Sequence, residues 1–175
     1  MKRIISLLLV IVMCLSLIAC GGGTEKAPEA TAAPEATNEE LTQAVDLLKK
    51  AEDSIITAAS HQLDGWTKYA SIMEYYFVDS KYQEANESSI AKRAKKIHEL
   101  RVSAKEAMDE AKALMGTNGT SDYYAAVKEY YKTVSVFWNL ISEFPEGYSK
   151  LTYSTTASDY KANCQSAYAE LEFYK

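Results

Sequence analysis

Cysteine and histidine are both scarce in this 175-residue chain, and each scarcity closes off a class of function. There are three cysteines: Cys14 and Cys20 near the start, and Cys164 as the single thiol of residues 38–175. One thiol makes neither an internal disulfide nor a cysteine metal cluster. The two histidines do not supply metal-ligand spacing. A carboxylate-bridged two-metal bundle needs Glu-x-x-His twice, yet Lys95 stands three residues before His98 and Ala58 three before His61. Cys-x-x-Cys-His, Gly-x-Ser-x-Gly, a phosphate loop and His-Glu-x-x-His are absent too. No catalytic or metal-binding residue and no cofactor is therefore assigned. Excess positive charge is also lacking: 24 acidic residues outnumber 19 basic ones, a net of −5. A chain this acidic has no global attraction for nucleic acid.

What is present begins with the first twenty residues. Met1-Lys2-Arg3 is a short positive start, and Ile4 to Ala19 is a nearly unbroken apolar run. A basic start followed by a short apolar stretch reads as an export signal. A spanning helix needs about 20 apolar residues, and Gly21-Gly22-Gly23 ends this run first. The run closes on Leu17-Ile18-Ala19-Cys20, which resembles the lipobox of bacterial lipoproteins. The resemblance covers only these residues. It implies a diacylglyceryl thioether on Cys20 and cleavage by a type II signal peptidase, with Leu17 and Ala19 as its recognition residues. It places the mature protein on the extracytoplasmic side of a cell membrane, held by its acyl chains. Two acyl chains give a stable anchor where one is marginal, at about 0.8 kcal/mol per buried methylene. Cleavage removes Lys2 and Arg3 and no acid, leaving 17 basic against 24 acidic residues, a net of −7.

Residues 20–37 contain Ala-Pro-Glu-Ala-Thr twice and almost nothing large and apolar, so they are expected to form a disordered tether. Residues 1–19 are then the signal peptide and 38–175 the folded domain, long enough for one hydrophobic core.

From Asn38 the periodicity is helical. Thr37 with Glu40 makes a capping box, and a first stripe runs Leu41, Val45, Leu48, Ile55, Ala59, Trp66, Tyr69, Met73, Tyr76. Glu52 and Gln62 interrupt it, and Gly65 suggests a bend or break near Asp64-Gly65. A second helix is expected over Glu87–Met115, with Ile90, Ala94, Ile97, Ala104, Met108, Ala111 and Met115 on one face. Leu100 and Arg101 stand at its missing step, and Gly116 suits its C-cap. The boundary between these two helices is placed in Asp79–Asn86 by polarity alone. A third helix, capped by Thr120 or Ser121, carries Tyr123, Val127, Tyr130, Val134, Phe137, Ile141 and Phe144, ending at Pro145-Glu146-Gly147. The last carries Tyr153, Ala157, Tyr160, Cys164, Ala167, Leu171 and Tyr174. No segment alternates like a strand between hairpin turns. The expected fold is all-α: an antiparallel four-helix bundle, with a three-helix bundle having a long, bent first helix as the alternative.

Two surface features invite a function. Lys92, Arg93, Lys95 and Lys96 form a basic cluster, which a solvated helix face explains more simply than a site for an anionic polymer. Tyrosine is abundant, with 13 in the chain, several in adjacent pairs. Neighbours on a helix lie about 100° apart, so one ring of a pair enters the core while the other borders it. The ligand-edge aromatics of a binding groove would be Trp66, Tyr124, Tyr131 and Trp138. The expectation is a non-enzymatic interaction or scaffolding domain with a protein partner at the cell envelope. The competing expectation is a module that binds a small ligand, glycan or peptide for a transporter or sensor.

Overall fold

The computed structural model describes residues 34–68, 74–77, 89–143 and 146–174. The expected signal peptide, the expected lipid site Cys20, Tyr69, Met73, the expected 79–86 boundary and Phe144 lie outside them. The described residues belong to one compact unit beginning at Ala33. They form four long helices, α1 (Asn38–Lys68), α3 (Ser89–Met115), α4 (Asp122–Ser142) and α5 (Lys150–Leu171), with a single-turn helix α2 (Glu74–Phe77) between α1 and α3. A 3₁₀ turn, Glu172–Tyr174, follows α5. No strand occurs among the described residues.

The helix starts are set by side chains that satisfy the orphan N–H groups of a first turn. The Thr37 N–H donates to Glu40 Oε2 at 2.8 Å, while the Glu40 N–H donates to Thr37 Oγ1 at 3.2 Å, closing the capping box on α1. The Thr37 N–H, and the Thr37 hydroxyl donating to the same oxygen at 2.9 Å, hold the Glu40 carboxyl below the usual carboxylate range. Ser121 Oγ accepts from the Tyr124 N–H and Ser149 Oγ from the Thr152 N–H, both at 3.0 Å, starting α4 and α5. Gly116 follows α3 in the left-handed conformation (φ +62°) expected of a C-cap. The expected tether also reaches the bundle at its end: Ala36 packs on the core, and Glu35 Oε1 accepts from the Thr120 hydroxyl at 3.1 Å.

Pairwise contacts give the topology. Thr42 meets Tyr123, Glu52 meets Tyr130 and Gln62 meets Ile141, so α1 and α4 run parallel. Tyr123 meets Tyr174, Tyr130 meets Tyr168 and Phe137 meets Tyr160, so α4 and α5 run antiparallel. Arg101 reaches Ser142, twenty residues beyond the start of α4, so α3 is antiparallel to α4. The result is an up-down-up-down bundle in which α1 and α4 each pack against the other three long helices.

The core follows the stripes. Leu41, Leu48, Ile55, Ile97, Ala104, Val127, Tyr130, Val134, Phe137, Ile141, Tyr153, Cys164 and Leu171 are buried. Three details differ from the sequence expectations. The break near Asp64-Gly65 does not occur: α1 continues to Lys68, and Gly65 is there because the Tyr76 ring lies where a methyl group would be. The Tyr123-Tyr124 pair does not divide into inner and outer rings; both are buried, since the Tyr124 ring folds onto Gly119. Tyr174 is 45% exposed, because the 3₁₀ turn carries it off the helical stripe to stack on Tyr123.

Candidate functional site

The polar positions that interrupt the stripes are inside. Glu52, Gln62 and Arg101 are the buried polar or charged residues of the described chain. They form two centres at different heights of the bundle.

At mid-height, Glu52 Oε2 accepts from the Tyr130 hydroxyl at 2.6 Å, and Glu52 Oε1 lies 3.1 Å from Lys49 Nζ. Lys49 also reaches Asp53 Oδ1 at 3.3 Å and sits 5.4 Å above the Tyr168 ring. Partial burial works against the ammonium, but its bond to Glu52 and the charges of Glu52 and Asp53 outweigh this, and its pKa is raised. Burial, reinforced by the Glu52 bond and charge, pushes the Tyr130 phenol well above its ordinary value. Burial also pushes the Cys164 thiol up to about 11, against an opposing bond from Thr133. A thiol held protonated this way is a poor nucleophile and packs as a small hydrophobe.

At the end of the bundle where α1 and α4 finish, buried side chains cap the ends of helices. The Gln62 amide donates to the Tyr76 carbonyl at 3.0 Å and the Ile141 carbonyl at 2.9 Å, while its oxygen accepts from the Tyr153 hydroxyl. Arg101 Nη1 donates to the Phe77 carbonyl at 2.8 Å and Nη2 to the Ser142 carbonyl at 3.2 Å. The final carbonyls of α2 and α4 have no partner within their own helices. A neutral amide and a guanidinium supply those partners, and the cation also suits the negative end of a helix. Tyr76 and Phe77 are sealed in by Gly65 and by Tyr153, whose ring centre lies 5.8 Å from that of Phe77.

The four sequence-nominated aromatics do not converge. Trp66 is half-buried on α1, with its ring 5.3 Å from Tyr153. Tyr124, Tyr131 and Trp138 share a seven-residue spacing on α4; Tyr124 is buried, and the other two are half-buried. The Trp138 indole N–H is 3.4 Å from the Arg101 carbonyl, and the ring edges a hollow of about 190 Å³ with Val102, Lys105 and Glu106. Lys92, Lys95 and Lys96 are exposed and Arg93 half-buried, as a solvated helix face requires.

A larger opening was not nominated by sequence. A cleft of about 410 Å³ lies between the end of α4 and the start of α5, lined by Val136, Asn139, Leu140, Glu143, Glu146, Tyr148 and Tyr160. Val136, Asn139, Leu140 and Glu143 fall on one side of α4, opposite its core stripe. Glu143 is the α4 C-cap, extended at φ −110° and ψ 135°, with its N–H on the Asn139 carbonyl at 3.0 Å. Gly147 turns the chain at φ +76°, bringing Tyr148 back towards α5. The spacing of Val136, Leu140 and Glu143 was the only sequence signal for this face, and beside a stronger core stripe it reads as ordinary surface.

Among the described residues, no three His, Cys, Asp or Glu side chains are grouped to hold a metal ion, and no helix is long and apolar enough to cross a membrane. No protein-family model, curated protein or solved structure matches the chain.

Proposed function

We propose that this chain is a lipoprotein anchored by lipid on Cys20 to the extracytoplasmic side of a cell membrane, with the helical bundle serving as a non-enzymatic interaction or scaffolding domain. The observation that carries the reading is Leu17-Ile18-Ala19-Cys20, in register with the basic start, the apolar run and the Ala/Pro/Glu tether that follows. The bundle supports the second half of it. Buried Glu52, Gln62 and Arg101 bond to Tyr130, Tyr153 and helix-end carbonyls, which suits a bundle of defined register.

The test is Cys20→Ser in the producing cell, followed by fractionation, mass analysis and labelling with radioactive palmitate. The unsubstituted protein takes up label and sediments with membranes; the variant takes up none and is released or left unprocessed. Unchanged labelling and mass in the variant would overturn the anchor. A crosslinked pull-down with the intact protein tests the scaffold, which requires a reproducible envelope partner.

A second reading, binding of a small ligand, is favoured by the cleft at the end of α4. It is polar at its rim, edged by Tyr148 and Tyr160, and within the roughly 300–1,000 Å³ range typical of small-molecule sites.

A further inference from the structure

We infer that the cleft between the end of α4 and the start of α5 binds a small organic cation with an apolar body: an ammonium head on an aryl or alkyl chain. This rests on the small-ligand reading and specifies its chemistry. The cleft is two-part. Its apolar lining is Val136, Leu140 and the Tyr160 ring, with Asn139 beside them, and Val136 is 40% exposed. Covering that lining is favourable for any hydrocarbon of matching size, at roughly 25 cal/mol per Å² of apolar surface.

The rim sets the charge. Glu143 and Glu146 are the charged side chains among the described residues that line it, and neither a lysine nor an arginine joins them. An anion would meet two carboxylates with no compensating cation. An ammonium meets both carboxylates and, at the mouth, the face of Tyr148, which is 38% exposed. Cation, aromatic face and apolar lining together select an amphiphilic amine over either a metal ion or a neutral sugar.

The site is also held in place before any ligand arrives. Tyr160 is braced by an edge-to-face contact with the buried Phe137, ring centres 6.2 Å apart. The Glu143 main chain forms the α4 C-cap, and Tyr148 directly precedes the Ser149 cap of α5. Preorganisation of this kind lowers the ordering cost of binding. A smaller hollow of about 110 Å³, lined by Glu129, Lys132, Thr133 and Asn163, shares Val136 and Tyr160 with the cleft.

The experiment is calorimetric titration of the full-length protein with three probes of one shape: 4-phenylbutylamine, 4-phenylbutanol and 4-phenylbutyrate. Glu143→Gln/Glu146→Gln and Tyr160→Ala are titrated alongside, so that uptake by lipid or detergent cancels. The amine is expected to bind about tenfold more tightly than the alcohol, and the acid most weakly. The Glu143→Gln/Glu146→Gln protein should lose that preference, with its helix content unchanged because both side chains are exposed. Equal binding of amine and alcohol, both weakened by Tyr160→Ala, would overturn the cation while leaving a small-ligand cleft. Binding of none of the three, or binding indifferent to every substitution, would overturn both readings.

Discussion

The two buried polar centres of this bundle are built on opposite plans. At mid-height, Glu52 and Tyr130 join side chain to side chain across α1 and α4, with Lys49 closing the pair from the half-exposed edge. At the far end, Gln62 and Arg101 donate to main-chain carbonyls of two helix ends. The difference lies in what removal leaves behind. A side-chain pair can be deleted from both sides, and replacing such a pair with apolar residues is often nearly neutral. A backbone carbonyl cannot be deleted. Its donor is needed wherever the helix ends inside the core, so the far end is the less replaceable of the two. It is also the end that holds α2, whose Tyr76 and Phe77 are buried although the helix is only one turn long.

The sharpest break of that comparison is Gln62→Leu. It strands the Tyr76 and Ile141 carbonyls and the Tyr153 hydroxyl together, and each buried orphan costs about 1–3 kcal/mol. We expect a loss of about 4 kcal/mol in urea unfolding, with less than half recovered by adding Tyr153→Phe, which removes the stranded hydroxyl but leaves the two carbonyls. A loss below about 1 kcal/mol would mean that the carbonyls find other donors and the far end is not special. Gly65→Ala should come next, at about 2 kcal/mol, since its methyl group displaces the Tyr76 ring. In a Tyr76→Ala background the same change should cost nothing, and gain up to about 1 kcal/mol of helix propensity. Equal cost in both backgrounds would show that the ring is not what Gly65 accommodates.

The same contrast explains what the sequence could and could not reveal. The four long helices were legible because Leu41 to Ala59, Ala94 to Met115, Tyr123 to Ile141 and Tyr153 to Leu171 repeat an apolar face at helical spacing. The caps at Thr37, Ser121 and Gly116 stand at the ends of those repeats. Glu52, Gln62 and Arg101 were legible only as gaps. They sit in core phase, yet periodicity carries no information about which hydroxyl or carbonyl lies opposite. Their partners are as much as 91 residues away for Gln62 and 78 for Glu52. Gly65 was misleading for a related reason. A local propensity scale counts its missing side chain as a weakness, whereas a neighbour fourteen positions nearer the C-terminus than Gln62, Tyr76, turns that absence into packing space. The cleft at Glu143 and Glu146 was least legible, since it arises where one helix stops and another starts and has no period at all.

The mid-height centre should yield more gently. Glu52→Leu leaves the Tyr130 hydroxyl buried without its acceptor, a cost of about 2 kcal/mol. Adding Tyr130→Phe should recover at least half of that, so the double-mutant cycle reports a coupling of about 1 kcal/mol or more. Additive losses would mean that the pair acts no differently from the far-end donors, and the contrast between the centres would fail.

The smallest effect separates the centres by pH. Cys164 in the folded protein titrates near 11 against an ordinary value of 9.0, and the Tyr130 and Tyr153 phenols are raised as well. Between the unfolded and folded values the native state keeps protons that the unfolded chain has released. Stability is therefore intact below about pH 9 and falls as pH rises towards 11. Cys164 alone should contribute about 1 kcal/mol of that fall after allowance for solvent screening. Cys164→Ala should flatten the pH 9–11 portion of the unfolding curve while leaving the portion due to the tyrosines, which begins about one pH unit higher, at their ordinary 10.0. Tyr153→Phe acts on that later portion at the far end, where burial is opposed by the nearby Arg101 charge, whereas Tyr130→Phe acts on it at mid-height, where the Glu52 charge adds to burial. The mid-height phenol should thus account for more of the alkaline loss than the far-end phenol. The reverse order would show that main-chain capture, rather than the buried carboxylate, governs how each centre holds its protons.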